Sequence, residues 1–248
     1  MLYEDFYRVF PGLSRVYGRF VVTGKKGLKL DGFGKTFREP YIKELWKEHL
    51  EGKQHLGVVP INEDNKCKWG CLDVDDYAVD LEQLSKDFKE KNLIIARSKS
   101  GGAHIFIFTK KFVPASKMIQ KLKDIADAYG FVKYDLRPQQ NKLIDDNDCG
   151  SWLNMPYFSS DETDRYALYD GKALSAKHFI QWIDKFAVNS LDDIDLSFIN
   201  KVNDVEDKIP GGPPCLQHLL SAGGIAEGGR NNGLFNLGVY LRKSDEEH

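Results

Sequence analysis

Two carboxylates, Asp73 and Asp75, stand two residues apart in KWGCLDVDDY, an apolar run that predicts a β-strand. Side chains alternate along a strand, so both emerge on one face and Asp76 on the other. Carboxylates this close repel unless a cation sits between them. Mg²⁺ or Mn²⁺ takes oxygen ligands in this way and leaves room for waters and phosphates. Asp-x-Asp pairs also occur at strand ends and in turns, so the pair needs companions before it means chemistry.

A second element supplies them. Arg97-Ser98-Lys99-Ser100-Gly101-Gly102-Ala103-His104 joins two further apolar runs, LIIARS and AHIFIF. Two glycines let backbone N–H groups approach an anion, and Ser100 with Lys99 adds donors and charge, which together make a phosphate cradle. His104 shares a face with Phe106 and Phe108, as a core histidine would, yet its place beside the turn aims it at whatever the turn binds. A triphosphate there favours the charged imidazole, whose first role is electrostatic stabilisation and positioning. The third element is Asp135 in KYDLRPQQ, late in a predicted strand and followed by Arg137 and Gln140. Alone it reads as a turn residue or an ion-pair partner. The three elements together offer three metal ligands opposite a triphosphate cradle, the requirement of two-metal nucleotidyl transfer.

Short strands and amphipathic helices must position these groups. YIKELWKEHL, DLEQLSKDFKEKN, PASKMIQKLKDIADAYG and AKHFIQWIDKF carry apolar residues at helical spacing. In the second, Asn92 is the expected stop; in the third, Ser116 is the expected N-cap and Gly130 the stop. HLGVVP and KWGCLDVDDY, separated by the turn-forming NEDNK, predict a β-hairpin, and FVKYDLRP predicts a later strand. The order is that of a mixed α/β sheet covered by helices.

The 248 residues, 42% hydrophobic and 29% charged, suffice for a buried core and exclude a disordered chain. A formal net charge of −2 excludes a histone-like polycation, but nucleic-acid binding depends on where positive charge sits. Residues 1–60 hold eleven Lys/Arg against seven Asp/Glu. Much of that surplus lies in TGKKGLKLDGFGKTFREP, where Lys25, Lys26, Lys29, Lys35 and Arg38 alternate with glycines, Phe33 and Phe37. This composition suits a hairpin that touches a polyanion, and suits a solvated surface loop equally well. No run of about 20 apolar residues and no signal-peptide pattern occurs, which predicts a cytosolic protein without a membrane partner. Cys67 and Cys71 could form half of a zinc site with Cys149 and a distant His; buried reduced thiols are the preferred reading. An acidic stretch, 191–212, ends in PGGPP and predicts a linker before a short helical segment, 213–248. There Arg230 could touch DNA or a partner, while helix capping explains Asn231 and Asn232. The end, KSDEEH, follows an apolar helix directly and reads as the edge of a longer protein.

Taken in order, CLDVDD, SKSGGAH and YD resemble the three-motif signature of the archaeo-eukaryotic primase superfamily, the primase-polymerases. YGRF, GKTFREP, VVPINEDNKCKWGCLDVDD, GSWLNMPYF and the tail PPCLQHLL with GGRNNGLFNLGVYLRK extend the likeness over nearly the whole chain, toward members from phages and related mobile or conflict systems. The resemblance implies an α/β (α+β) fold, a small α/β unit joined to an RRM-like unit with the active site between them, in a catalytic domain over 1–190. It implies that Asp73, Asp75 and Asp135 bind Mg²⁺ or Mn²⁺ and that Ser100 and His104 contact the phosphates of an NTP or dNTP. Arg97, Lys99, Gly101, Gly102, Gln140 and Asn154 are nucleotide-side candidates. Where relatives often have Phe-Pro-Lys-Gln after the third motif, this chain has Leu-Arg-Pro-Gln-Gln, and the basic role passes to Arg137. The implied activity is primer synthesis or extension on single-stranded DNA, with a helicase in cis or in trans. The alternative is a non-catalytic DNA-binding module that recruits a helicase. A glycosyltransferase gives no reason for the glycine turn, and polymerase-β-like transferases place their Gly-Ser cradle before the aspartates.

Overall fold

The structure, a computed structural model, describes residues 1–26, 29–75 and 79–196. The chain divides into two units, Met1–Ile194 and Asp195–His248. The expectations for Asp76, Cys215, the linker beyond 196 and the segment 213–248 with Arg230, Asn231 and Asn232 lie outside the described residues. So do those for the side chains of Lys25, Lys26 and Lys29.

In chain order the elements are α1 (Leu2–Val9), β1 (Tyr17–Lys26), β2 (Lys29–Phe37), α2 (Lys43–Leu50), β3 (Gly57–Val58), β4 (Lys66–Val74), α3 (Leu81–Asp87) and β5 (Ile94–Arg97). They continue with β6 (Ala103–Pro114), α4 (Ala115–Tyr129), β7 (Tyr134–Arg137), β8 (Leu153–Asn154), β9 (Ala167–Tyr169), β10 (Lys172–Ala173) and α5 (Ala176–Phe186). A short 3₁₀ turn, Leu191–Asp193, follows, with Leu191 and Ile194 buried. One sheet has the order β2-β1-β3-β8, the other β10-β9-β5-β6-β4-β7, and every pairing in both is antiparallel. Within the larger sheet, the succession β4-α3-β5-β6-α4-β7 with spatial order β5-β6-β4-β7 is the split β-α-β arrangement of ferredoxin-like folds, as the RRM-like expectation requires.

The predicted hairpin of HLGVVP with KWGCLDVDDY does not form: β3 pairs with β1 and β8, whereas β4 pairs with β6 and β7. A turn does exist at NEDNK, where the Asn62 side chain accepts the N–H groups of Asp64 and Lys66. Pro60, however, has no N–H to give a ladder, and the Val59 carbonyl is taken by the N–H of Leu13. Two helix ends also differ. Helix α3 starts on Asp80, whose carboxylate accepts the Gln83 N–H, and stops at Asp87, before Asn92. Helix α4 is preceded by Pro114 rather than by Ser116, which lies inside the first turn, and ends at Gly130 with φ +68°.

Aromatic rings fill the space between α1, α2, α5 and the larger sheet. The Phe10 ring lies 5.2–6.3 Å, centroid to centroid, from Phe6, Trp46, Trp69, Phe106, Phe108 and Phe179. Along β4 and β6 this face runs Trp69 opposite Phe108, then Cys71 opposite Phe106, then Asp73 opposite His104. The apolar core thus gives way to charge at one end of adjacent strands. Cys67 and Cys71 are buried, and burial pushes the Cys67 thiol up to about 12.

Two buried histidines give the fold an acid sensitivity. His49 hydrogen-bonds the Pro156 carbonyl through Nε2 (2.9 Å) and accepts the Leu56 N–H at Nδ1 (3.0 Å), so it is neutral, and burial pushes its pKa down to about 3. His55 stacks on Phe158 and accepts from the Arg165 guanidinium (2.8 Å); burial, then the charges of Arg165 and Lys99, push it down to about 4. The unfolded chain takes up both protons near pH 6.5 and the native one does not, so stability is full above that value and falls as pH drops. Between pH 8 and 5 the loss should be about 2 kcal/mol for each histidine, about 4 kcal/mol together. Urea midpoints at the two pH values measure it; equal midpoints would contradict the assignment.

Candidate active site

The larger sheet brings the three sequence elements to one level. Asp73 on β4 stands directly between His104 on β6 and Asp135 on β7, each its cross-strand partner, so the three side chains share a face. Ala96 and Ala167 continue the row on the far side of His104, both fully buried in the apolar core. Asp75 follows the end of β4 and is exposed, its N–H bonded to the Lys133 carbonyl (3.1 Å).

A cleft of about 510 Å³ opens at this level, lined from the larger sheet and its turn by Asp73, Asp75, Ser98, Lys99, Ser100, His104 and Arg137. Phe20, Thr36, Leu153 and Asn154 of the smaller sheet, with Gly150, Ser151 and Trp152, line the opposite side. The Lys99 ammonium lies over the Phe20 ring and so spans the two sides.

His104 is 4% exposed; its Nε2 lies 3.2 Å from Asp73 Oδ1, and its Nδ1 is buried without a hydrogen-bond partner. Burial raises the proton affinity of Asp73, but the hydrogen bond and charge of His104, with the charge of Arg137, outweigh it and hold the carboxyl below its usual value. Asp75 is shifted the other way, raised by burial and then by the negative charges of Asp73 and Asp135. Arg137 is tied down on three sides: Nε donates to the Trp152 carbonyl (3.2 Å), Nη1 to the Leu136 carbonyl (2.9 Å), and Nη2 reaches Asp135 at 3.4 Å.

The glycine turn uses two of its backbone N–H groups internally. The N–H of Gly101 is spent inside the turn on the Ser98 carbonyl (3.1 Å), and the N–H of Ser98 on the Gly102 carbonyl (2.8 Å). Gly101 is required by its φ of +97°, and Gly102 because a Cβ there would run into the carbonyl oxygen of Val74 on β4. Ser98, Lys99 and Ser100 of the turn line the cleft. Ser98, 7% exposed, went unnoticed in the sequence because only strand alternation distinguishes it from Arg97. Arg97 takes the opposite face, next to Gly101.

Of the other candidates, Gln140, Arg38 and Lys35 lie outside the cleft lining. Gln140 donates to both carboxylate oxygens of Asp148 (3.0 and 3.1 Å), which also accepts the N–H groups of Ile144 and Gly150. Those hydrogen bonds, the two backbone ones first, hold the Asp148 carboxyl below its usual value. Arg15 donates to the carbonyls of Asp145, Asp146 and Asp148, and Arg38 to that of Asn147 (2.7 Å). These bonds shape the loop that delivers Gly150–Trp152 to the cleft. Lys35 is exposed over the Phe37 ring on β2. Asn154 lines the cleft with its Oδ1 buried and unpartnered.

Asp73, Asp75 and Asp135 are hard oxygen donors, and the proton affinity of Asp75 is raised by burial first and then by the negative charges of Asp73 and Asp135. The donor set is therefore of the kind that Mg²⁺ or Mn²⁺ takes. As the side chains stand, with Asp73 on His104 and Asp135 toward Arg137, no group of three His, Cys, Asp or Glu among the described residues is gathered closely enough to hold a metal ion. No helix among the described residues is long and apolar enough to cross a membrane.

Residues 12–186 match the family model described as the archaeo-eukaryotic primase domain of the TOTE conflict system, which takes in all three motifs. No curated protein matches the chain.

Proposed function

The chain belongs to the archaeo-eukaryotic primase domain family, and from that membership we propose that it is a template-directed nucleotidyltransferase that makes or extends short primers on single-stranded DNA. The observation that carries this reading is the row His104, Asp73, Asp135, of which His104 and Asp73 line a cleft whose other residues include Asp75, Lys99, Arg137 and four hydroxyl side chains. Asp73, Asp75 and Asp135 would hold Mg²⁺ or Mn²⁺, which when bound activates an attacking hydroxyl and neutralises a triphosphate. The chain's own groups orient the nucleotide. Lys99 and Arg137 supply fixed positive charge for the phosphates, and Ser98 and Ser100 supply hydroxyl donors. Asp73 fixes the His104 ring through Nε2, which leaves the buried Nδ1 for a further hydrogen-bond partner. The basic β1–β2 hairpin is the proposed contact for the template backbone, and a helicase in cis or in trans the proposed partner.

Labelled NTPs and dNTPs, offered with defined single-stranded templates with and without a primer, test this directly. Incorporation that requires Mg²⁺ or Mn²⁺ and stops on chelation is the expected result. A second reading draws on the same geometry: with Asp73 facing His104 and Asp135 facing Arg137, the row could be a purely structural network in a DNA-binding module. Metal-independent DNA binding without incorporation on any template would establish that reading in place of the first.

A further inference from the structure

Trp152 is held in an unusual seat. A Cβ on Gly18 of β1 or on Gly57 of β3 would overlap its indole, and one on Gly34 of β2 would come within 2.8 Å of Cζ2. Three neighbouring strands thus lack side chains where the ring lies against them. The indole N–H donates to Thr36 Oγ1 (3.2 Å), and the Trp152 carbonyl accepts from Arg137 Nε (3.2 Å), so both ends of the residue are fixed. Trp46 and Trp69 are fully buried and Trp182 is 6% exposed, whereas Trp152 is only partly buried and lines the cleft.

The ring also packs against the apolar cluster of Leu13, Val16, Val59 and Ile61, and the part of it that lines the polar cleft is a surface for another flat ring. Stacking needs a π-face and little entropy loss, which the glycine seat and the two hydrogen bonds provide. The cleft, about 510 Å³, is of a size that takes one small ligand. The same cleft contains His104, Lys99 and Ser100, the groups suited to phosphates, so ring and phosphates can belong to one molecule. Beside the indole, the buried Asn154 Oδ1 is an acceptor in want of a donor, such as a sugar hydroxyl or an exocyclic amine.

We propose that the cleft-lining surface of Trp152 stacks the base of the incoming nucleoside triphosphate. The proposal rests on the reading of the cleft as a nucleotide site and adds what holds the base there. Stacking serves every base alike, so it supplies affinity and leaves selection to pairing with the template.

Tryptophan fluorescence of the whole protein provides the test without any substitution, since the other three tryptophans are buried. ATP with Mg²⁺ and no template should quench it, and inorganic tripolyphosphate with Mg²⁺ should not. By calorimetry, Trp152→Leu should weaken ATP about tenfold or more, Trp152→Phe less than about threefold, and neither should change tripolyphosphate affinity. A purely structural role for Trp152 predicts instead that Leu impairs ATP and tripolyphosphate alike, and that result overturns the proposal. So does unchanged ATP affinity in Trp152→Leu, or quenching by a single-stranded oligonucleotide but not by ATP. The two readings fail separately. Normal primer synthesis with no effect at Trp152 removes only the stacking, and quenching by ATP without any incorporation removes only the polymerase activity.

Discussion

Asp73→Asn should lower nucleotide incorporation about a thousandfold or more while leaving the fold intact. Asparagine keeps the shape of the side chain and an oxygen that can still accept from His104 Nε2, so the 3.2 Å contact has a neutral replacement. What disappears is one negative charge at the centre of the row, between His104 and Asp135. The wild-type carboxyl is held in its ionised form by His104 and Arg137 despite burial, and its charge in turn raises Asp75. Removing it relieves repulsion among the carboxylates, so the melting temperature should stay within a few degrees of wild type, equivalent to about 1 kcal/mol. Incorporation of labelled nucleotide and thermal melting, measured on the same preparation, separate the two effects. Activity within tenfold of wild type would show that Asp73 is not a catalytic residue.

Gly102→Ala should be the most damaging small substitution in the glycine turn. Its Cβ would enter the Val74 carbonyl oxygen, which is backbone of the neighbouring strand and cannot rotate away. The first paired residues of β4 and β6, Val74 with Ala103 and Asp73 with His104, must then separate. Overpacking of this kind costs about 3 kcal/mol, which lowers the melting temperature by about 6–12 °C in a domain of this size. Misplacing His104 relative to Asp73 by about 1 Å should also cost about a hundredfold in incorporation. Gly101→Ala provides the contrast. Its new Cβ meets only Arg97 Nη2, at 3.9 Å, so the cost is the strain of a φ of +97° for an L-residue, about 1–2 kcal/mol, with the site geometry kept. Equal losses of activity in the two variants would mean that the turn serves the site by flexibility and not by its register against β4.

Much of the site was legible because its parts are local. Asp73 with Asp75, the turn from Ser98 to His104, and Asp135 each lie within one strand or one turn, where residue type and alternation are readable. The helices were legible for the same reason, and their ends less so. Ser116 is a better side-chain cap than Pro114, but the chain enters α4 directly from β6, and the position of Pro114 at the strand's end decides where the helix starts. The hairpin expected between β3 and β4 failed at a point visible only in three dimensions. Its turn forms at Asn62–Lys66, but the strand before it is claimed by β1 and β8.

By itself the amino-acid sequence determined which side chains could do chemistry and that each sits on a strand or beside a turn, because short-range sterics and periodicity act between near neighbours. The motifs, taken in order, also resemble those of a family whose model residues 12–186 match. Only the tertiary structure decided that His104, Asp73 and Asp135 stand abreast, since that depends on the order β6-β4-β7 and on a register summed over many contacts. It likewise decided that Gly18, Gly34 and Gly57, scattered along the first 60 residues, meet under Trp152. A glycine carries no sign of what will lie against it; the shape of that seat exists once three strands pair and a loop held by Arg15 and Arg38 lays the indole across them.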